Sequence, residues 1–358
     1  MSEQERCWCG SSDFLEFSSE YAECNACKTL VSLSPLSANQ LIVHDDEVDF
    51  YGKQYWLDHQ SQDLGFPDIY TRSRKDLTER NIHWLKTLAK YCLPPSHILE
   101  IGCGHGSFVA LMQQTGYQSF GIEMSQWVVS FGQKTFGIPV YLGPLENVDI
   151  PMGSLNAIVM MDVLEHLPDP VTTLQDCMKL LKPDGFLLIQ TPEFKEGKTY
   201  SDLVNSQSPF LGMLQPDEHL NLFSRRSVTQ ILNQVGFEYI TFEEAIFADY
   251  DMFLVASKVP IEVNSSDQIE ATLLDYPSSR MTLALLDLRE RELALAETLQ
   301  ESEQDRAARL EQIITLTQQL EEAEASRQLH LAQVETLNQQ LNEKTGMYWL
   351  KKVKKLFT

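Results

Sequence analysis

The sequence His-Ile-Leu-Glu-Ile-Gly-Cys-Gly-His-Gly-Ser-Phe, from His97 to Phe108, indicates the fold class. A strand is predicted over 97–101, and it leads directly into a glycine-rich turn and then a helix. Gly102, Gly104 and Gly106 let backbone N–H groups at the helix N-terminus approach a ligand without a Cβ atom in the way. The order of strand, glycine turn and helix is typical of a nucleotide-binding α/β domain.

The residues around this turn repeat the same alternation of strand and helix. Short β-like runs alternate with amphipathic runs of helical length, which predicts βαβ units around a parallel sheet in a Rossmann-like α/β fold. The predicted strands are His97–Ile101, Ser119–Glu123, Pro139–Leu142, Ala157–Met161, Phe186–Thr191, Glu238–Thr241 and Met252–Ser257. The predicted helices are Arg72–Tyr91, Ser107–Thr115, Ser125–Phe136, Pro170–Leu181 and Ser224–Gln234. We expect the last two strands to form an antiparallel hairpin at one edge of the sheet.

Two acidic residues narrow the class of ligand. Glu100 precedes the first turn glycine by two residues, where a carboxylate disfavours a pyrophosphate and favours a ligand with an ammonium or sulfonium group. Ser107 stands where a dinucleotide fingerprint needs glycine or alanine, which weakens an NAD interpretation. Glu123 ends the next predicted strand, where a carboxylate can accept both ribose hydroxyls, and Met124 offers an apolar flank to adenine. The pattern favours S-adenosylmethionine; the alternatives are a ligand-free turn and an exposed acid.

Three segments carry a resemblance to a known family. Leu99-Glu-Ile-Gly-Cys-Gly-His-Gly106, Met161-Asp-Val-Leu-Glu-His-Leu-Pro-Asp-Pro170 and Gln190-Thr-Pro192 resemble class I S-adenosylmethionine-dependent methyltransferases. The chain is most similar to the branch with ubiquinone-type O-methyltransferases and enzymes of surface-glycan pathways. The resemblance covers about 72–257. It implies that the glycine turn and Glu100 hold the methionine part, that Glu123 holds the ribose, and that the loop of Leu145 and Glu146 lies by the adenine.

The run Asp162-Val-Leu-Glu-His166 is predicted at the carboxyl end of a strand, where open α/β sheets place ligands. We include Asp162 among the cofactor-binding residues. His166 is a candidate base for an acceptor hydroxyl, and His219 is a second. The alternative for His166 is packing at a strand-to-helix corner, with methyl transfer relying on alignment. The long segment 193–217 is predicted to be a lid over the acceptor.

Four of the seven cysteines crowd the first 27 residues as Cys7-Trp-Cys9 and Cys24-Asn-Ala-Cys27. Two thiolate pairs at this interval suit a tetrahedral structural Zn²⁺. The first pair has one intervening residue instead of two, and Lys28 replaces the glycine usual after the second pair, so unligated thiols are the alternative. Some members of the resembling glycan-pathway group carry an N-terminal cysteine ribbon, which supports zinc. Cys92, Cys103 and Cys177 are predicted to be structural.

Charge and composition bear on partners and location. The 358 residues include 28 Lys or Arg and 51 Asp or Glu, a net charge of −23, and such a surface repels phosphate backbones, so we expect no nucleic-acid partner. No apolar run is long enough to cross a bilayer, and the N-terminus lacks the basic and then apolar order of a signal peptide. We therefore expect a cytoplasmic protein.

The C-terminal part has the pattern of a coiled coil. From Thr282 to Lys344 there is neither proline nor glycine, and leucines recur at heptad spacing from Leu285, with a polar interruption around 302–309. The predicted partner is a second copy or another coiled-coil protein. The last residues, 347–358, contain four lysines and no acid, and as a helix they form a basic amphipathic patch suited to an anionic membrane surface. The alternative is that they end the coil or fold back.

These observations predict six segments. They are a zinc-ribbon-like segment (1–35), a connecting region (36–71), a methyltransferase domain (72–258), a linker (259–280), a coiled coil (281–345) and a basic amphipathic tail (346–358). The predicted function is methyl transfer from S-adenosylmethionine to a small-molecule or glycan acceptor, in the cytoplasm or at the inner membrane surface. A non-catalytic cofactor-binding scaffold and an NAD-dependent oxidoreductase are the alternatives.

Overall fold

The structure, a computed structural model, describes residues 6–63, 65 and 67–356. Its strands form two sheets. They are β1 (Phe14–Glu16), β2 (Tyr21–Cys24), β3 (Leu30–Ser32), β4 (His97–Ile101), β5 (Gln118–Glu123), β6 (Val140–Leu142), β7 (Leu155–Met161), β8 (Leu181–Pro192), β9 (Asn221–Leu222), β10 (Tyr239–Glu243) and β11 (Asp251–Ser257).

The helices follow in chain order. They are α1 (Ile69–Thr78), α2 (Arg80–Tyr91), α3 (Ser107–Thr115), α4 (Gln126–Phe136), α5 (Pro170–Leu180), α6 (Tyr200–Asn205), α7 (Arg225–Val235), α8 (Ser266–Leu274) and α9 (Ser279–Lys354). Shorter helical segments are a π-helical segment at Tyr55–Asp63 and 3₁₀ turns at Leu145–Asn147, Leu164–His166 and Pro209–Met213.

The large sheet has seven strands in the order β10-β11-β8-β7-β4-β5-β6. Strands β8, β7, β4, β5 and β6 are parallel, whereas β11 runs antiparallel to β8 and to β10. The Rossmann-like α/β fold and the antiparallel hairpin at one edge are therefore as predicted. Because β4, β5 and β7 are parallel neighbours, their carboxyl ends meet at one edge of the sheet, which is where such folds bind ligands.

Apolar clusters cover both faces of this sheet. On one face α2 and α3 pack through residues such as Leu85, Leu88 and Phe108. On the other, α5 and α7 pack through residues such as Leu174 and Ile231. This three-layer arrangement explains why the central strands are apolar on both sides. It also fixes the β4–α3 turn at the edge of a rigid scaffold.

The first predicted helix differs from the structure. In place of a single helix over Arg72–Tyr91, the chain forms α1 and α2, and Glu79 between them has φ −120° and ψ −81°. The break lets the two helices take different positions: Asp76 of α1 bonds to His105 of the glycine turn, while Leu85 and its α2 neighbours pack on the sheet.

The small N-terminal sheet has the order β1-β2-β3-β9. Its last member, β9, belongs to the region after β8, so the cysteine-bearing segment and the methyltransferase-like region share one sheet. The pairing is antiparallel, with Leu30 opposite Leu222 and Val31 opposite Asn221. The predicted boundary at residue 35 is therefore not a boundary between separate folding units.

The region predicted as a linker, 259–280, contains helix α8. The Asn264 side chain donates to the Ala89 carbonyl, its backbone N–H donates to Lys90, and Leu273 is fully buried. The serines and asparagine that suggested a linker act instead as caps and anchors, with Ser265 forming a capping box at the start of α8.

The chain divides into two compact units, one up to Arg289 and one from Glu290 onward. In the second unit the helix α9 continues through the predicted coil into the basic tail, and its heptad leucines are exposed; Leu299, Leu320 and Leu341 have 61–66% of their surface accessible. Among the described residues, no helix combines the length and the apolar character that crossing a bilayer requires.

Candidate functional site

A cavity of about 620 Å³ lies at the carboxyl ends of β4, β5 and β7. This is the size of a typical small-molecule or cofactor site. Ten of the predicted site residues line it, namely Glu100, Gly102, Gly104, Glu123, Met124, Leu145, Glu146, Asp162, His166 and His219. Residues predicted separately, from motifs up to 119 positions apart in the sequence, are thus brought to one cavity.

The glycine turn requires glycine for two reasons. Gly102 and Gly104 have φ of +64° and +51°, a region that other residues adopt at a cost. A Cβ atom on Gly104 would also lie 2.7 Å from Cη2 of Trp56. Gly106 is not part of the cavity lining; a Cβ there would collide with Cδ1 of Ile138, so this glycine allows α3 to start close to a neighbouring loop.

Glu123 holds the turn from the end of β5. Its Oε2 accepts the Gly104 N–H at 3.0 Å, and its Oε1 accepts the N–H groups of Met124 at 2.8 Å and Ser125 at 3.1 Å. Burial raises the pKa of this carboxyl, and the three N–H donors act in the opposite direction. Since a carboxylate has about four acceptor positions, one remains on Oε2 for a ligand hydroxyl.

Glu100 is the feature that fits a cationic ligand. The side chain is buried, and Oε2 has no hydrogen-bond partner among the described residues. Burial, and secondly the charge of Glu123, raise the pKa of this carboxyl well above its usual value. A positive group beside it would offset the cost of keeping the carboxylate charged. A neutral ligand without a hydrogen-bond donor would not offset the cost of a buried charge.

The cavity is covered by the connecting region and only in small part by the segment predicted as a lid. Residues between Ala38 and Gln60 line it, including Tyr51, Tyr55 and Trp56. Asp46 anchors this cover segment (38–60) by accepting from the Ser125 hydroxyl and the Trp127 N–H at the start of α4.

Most of the predicted lid, 193–217, packs elsewhere. Phe194, Leu203 and Phe210 are buried in a cluster with Tyr21 and Leu30 of the small sheet, while Met213 and Gln215 reach the cavity. Apolar side chains in this segment gain more by burial against the small sheet than by facing a solvent-filled cavity.

His166 lies in the short turn after β7. Its Nδ1 is 2.9 Å from the Glu218 carbonyl oxygen and 2.9 Å from the Tyr51 hydroxyl. A carbonyl oxygen can only accept, so Nδ1 carries the proton and Nε2 is left with its lone pair. Burial, and secondly the neighbouring His219, lower the pKa of His166 to about 3, which keeps the ring neutral.

His219 is 4.8 Å from His166 between ring centroids, and the two ring planes make an angle of 65°. Its Nδ1 donates to the Met213 carbonyl at 2.7 Å, and burial lowers its pKa. Glu165 beside it has Oε2 bonded to the Thr191 hydroxyl at 2.8 Å, whereas Oε1 has no hydrogen-bond partner among the residues described. One atom of each of these three side chains lies within 4.8 Å of the other two, so the group could hold a cation.

Several cavity residues escaped prediction from the sequence. Arg72 and Arg80 line the cavity; Arg72 pairs with Asp76 at 3.2 Å and Arg80 with Asp162 at 3.5 Å. Asp162 itself has φ +58°. Both arginines belong to the predicted helix Arg72–Tyr91, and no signal in the sequence separated them from solvent-facing arginines.

The four predicted metal-ligating cysteines also come together. Ligand atoms of Cys7, Cys9, Cys24 and Cys27 all lie within 4.8 Å of one another. Hydrogen bonding with the Cys7 thiol lowers the pKa of Cys27, which favours a thiolate at this position. Lys28, which departs from the usual glycine, adopts φ +67° and so takes the conformation that glycine would provide. The cluster fits a tetrahedral metal ion.

Comparison with known proteins finds a family that matches the central part of this chain. Residues 73–241 match a family described as a methyltransferase domain. A ubiquinone biosynthesis O-methyltransferase from Pseudomonas aeruginosa is 24% identical over 200 residues, covering 51% of this chain and 82% of that protein. One from Xanthomonas campestris pv. campestris is 29% identical over 109 residues, covering 29% of this chain and 46% of that protein. The chain thus spans about half the length of the Xanthomonas relative.

Solved structures show more distant likeness. Phosphoethanolamine N-methyltransferase 2 of Haemonchus contortus, in complex with S-adenosyl-L-methionine, is 15% identical with a TM-score of 0.41, covering 51% of this chain and 52% of that one. Magnesium protoporphyrin IX methyltransferase from Synechocystis PCC 6803 is 19% identical with a TM-score of 0.39, covering 56% of this chain and 90% of that one.

Proposed function

We propose that this chain, whose residues 73–241 match a family described as a methyltransferase domain, transfers a methyl group from S-adenosylmethionine to a hydroxyl of a small-molecule or glycan acceptor. The observation that carries the proposal is the buried carboxyl of Glu100 beside the glycine turn, whose Oε2 has no hydrogen-bond partner among the described residues. A sulfonium is a cation that such a carboxylate stabilises. The oxidoreductase alternative has no comparable support, because an anionic pyrophosphate at this carboxylate would be repelled.

We assign the cofactor end of the cavity to Glu100, the glycine turn 102–106 and Glu123. The turn brings backbone N–H groups to the ligand, and Glu123 offers its remaining acceptor position to a ribose hydroxyl. Met124 and Leu145 provide apolar contact for a purine. Bound S-adenosylmethionine supplies an electrophilic methyl group, so the protein needs only to align the acceptor and take up its proton.

The acceptor end consists of His166, Glu218 and His219. Both imidazoles present an unprotonated Nε2, which is the state a general base requires. His219 is the better base of the two, since the pKa of His166 is lowered to about 3 and its driving force for accepting a proton is small. In this assignment His166 orients the acceptor, and His219 takes its proton.

A divalent cation at Glu165, His166 and His219 is a second way to activate the hydroxyl. It is favoured by the unpartnered Oε1 of Glu165 facing two imidazole lone pairs. A cation bound there would lower the pKa of a coordinated hydroxyl. Added Mg²⁺ or Zn²⁺ should then raise turnover of the natural protein and have no effect on Glu165→Gln, whereas a metal-independent base predicts equal turnover with and without the ion.

The test of the function is methyl transfer itself. Purified protein should bind S-adenosylhomocysteine but not NAD in calorimetry, and it should pass a labelled methyl group to a component of extracts from cells lacking the gene. Comparison of small molecules, lipids and surface glycans from cells with and without the gene should identify the acceptor. Cofactor binding with no transfer to any fraction would favour the scaffold alternative.

We propose a structural Zn²⁺ at the four cysteines. A four-thiolate site in a segment with few apolar residues contributes folding energy. Purified, reduced protein should contain one zinc per chain, and Cys24→Ser should lose it, while Cys177→Ser, a buried cysteine outside the cluster, should keep it. Metal analysis finding no zinc in freshly purified protein would contradict the site.

We also propose a coiled-coil partner for the heptad leucines of α9, a second copy being the simplest, and contact of the basic tail with an anionic membrane. The exposure of leucines such as Leu320 and Leu337 supports the first, because pairing would bury them. The four lysines among residues 347–358 support the second. We further propose a cytoplasmic location in which this tail contacts the inner membrane surface.

A further inference from the structure

We propose that the cysteine ribbon, residues 7–32, positions the acceptor end of the cavity, with Tyr21 as the residue that connects them. This inference rests on the proposed function for its kinetic consequence, but its structural consequence is independent of any activity. The ribbon would then determine how the acceptor is aligned without determining how the cofactor is bound.

The first support is a shared sheet. Strand β3 of the ribbon pairs with β9, and the contact continues beyond the strands because the Ser32 N–H donates to the Leu220 carbonyl at 3.1 Å. The Ser32 hydroxyl donates to the Pro216 carbonyl at 2.7 Å. The ribbon therefore holds both ends of the stretch 216–222, which contains two of the three acceptor-end residues.

The second support is Tyr21. Its side chain is completely buried, and its hydroxyl donates to the His219 carbonyl at 2.9 Å. The ring lies in an apolar cluster formed with Leu30, Leu222 and Phe194, so the hydroxyl that donates to His219 is held in place and fixes the His219 backbone. A buried phenol contributes here by its position and touches no substrate.

The third support is the hydrogen bonding between the stretch 216–222 and the turn after β7. The Leu220 N–H donates to the Glu165 carbonyl at 2.9 Å, and the Glu218 carbonyl accepts from His166 Nδ1. The stretch 216–222 thus lies between the ribbon and the turn Leu164–His166. A shift of this stretch would change the tautomer-fixing contact of His166 and the ring position of His219 together.

The cofactor end is held by different contacts. Glu123 accepts from Gly104, Met124 and Ser125, all close to β4 and β5, and the glycine turn is fixed by α3 and by Trp56. None of the residues in these contacts belongs to the ribbon. A change confined to Tyr21 should therefore affect the two ends of the cavity unequally.

The test compares Tyr21→Phe with Tyr239→Phe, the same change at an exposed edge-strand tyrosine. In Tyr21→Phe the imidazole ¹H–¹⁵N signals of His166 and His219 should shift, S-adenosylhomocysteine affinity should stay within about twofold, and kcat/KM for the acceptor should fall about 3- to 10-fold, the size expected for one lost hydrogen bond. Tyr239→Phe should change none of these. Ser32→Ala provides a second variant with the same expected pattern.

Two results would overturn the inference. One is unchanged histidine signals in both Tyr21→Phe and Ser32→Ala. The other is a loss of S-adenosylhomocysteine affinity equal to the loss of kcat/KM, which would mean general disruption. If the natural protein transfers no methyl group, the proposed function fails, whereas the histidine signals and the affinity measurements still decide whether the ribbon positions the acceptor end.

Discussion

Replacing Glu123 by alanine should weaken cofactor binding through one hydrogen bond to the ligand and weaken the fold through three others. The carboxylate accepts N–H groups from Gly104, Met124 and Ser125 at 2.8–3.1 Å. These bonds are present before any ligand binds, so their loss appears in the thermal stability of the ligand-free protein. The ligand can use only the acceptor position that remains on Oε2.

The magnitude follows from that single position. A hydrogen bond to a charged acceptor contributes about 1.5–3 kcal/mol, so S-adenosylhomocysteine should bind about 10- to 150-fold more weakly to Glu123→Ala. Loosening of the glycine turn would add to the loss without involving the ribose. Glu238→Gln, a change at an exposed carboxylate outside the cavity, should bind the ligand as the natural protein does.

Calorimetry with deoxy analogues separates the two contributions. In the natural protein, removal of the ribose hydroxyl that meets Oε2 should cost about as much as the mutation, whereas Glu123→Ala should bind the deoxy and the complete ligand about equally. The reasoning is refuted if the deoxy ligand loses the same affinity in both proteins, because the ribose would then be held by another group.

Three further outcomes are expected. His219→Ala should lower turnover about 10²- to 10⁴-fold and His166→Ala by less, with S-adenosylhomocysteine affinity unchanged in both; normal turnover in both variants would mean catalysis by alignment alone. Burial, and secondly the charge of Asp162, raise the pKa of Asp251 to about 8, against about 3.9 when unfolded. Its contribution to stability is therefore complete below about pH 4 and lost as the pH rises to about 8, so Tm should fall over this range, and less in Asp251→Asn. Anionic liposomes should float the full chain at low salt and release it at high salt; equal flotation of a chain ending at Gly346 would show that the tail is no anchor.

The positions of the residues at the cofactor end could be predicted from the sequence, because these residues lie close together in sequence or at the ends of adjacent strands. Glu100, Gly102 and Gly104 lie within five residues, and the strand-to-helix turn fixes their relative positions. Glu123 needs only one further βα unit to reach the same edge, since adjacent parallel strands end together. Gly106 is the exception, because it does not line the cavity. Its place in the motif does not reveal that a Cβ atom there would collide with the side chain of Ile138.

The cover of the cavity could not be predicted in this way. The region 36–71 has no helical or strand period, and its main element is a π-helical segment at Tyr55–Asp63. Its contact with the glycine turn is made by one ring, that of Trp56 against Gly104, across 48 residues of sequence. The aromatic density at Phe50, Tyr51, Tyr55 and Trp56 was the available signal, since exposed loops seldom carry so many rings. Instead, the length of 193–217 and its content of Ser, Gly, Pro and aromatic residues predicted a lid there.

The acceptor end depends on three segments that meet at Glu218. Its Oε1 lies 2.8 Å from His59 Nε2 and its Oε2 accepts from the Tyr55 hydroxyl at 3.0 Å, so the cover segment is held by its side chain. Its carbonyl accepts from His166, and the ribbon holds the backbone on either side of it. Because the cover, the ribbon and the turn after β7 all contact this one stretch, a change in any of them alters the shape offered to the acceptor. Of the contacts that hold the glycine turn, Trp56 belongs to the cover and none belongs to the ribbon. Selectivity for the acceptor can therefore change by substitutions in residues 7–32, far in sequence from the histidines, without loss of the cofactor site.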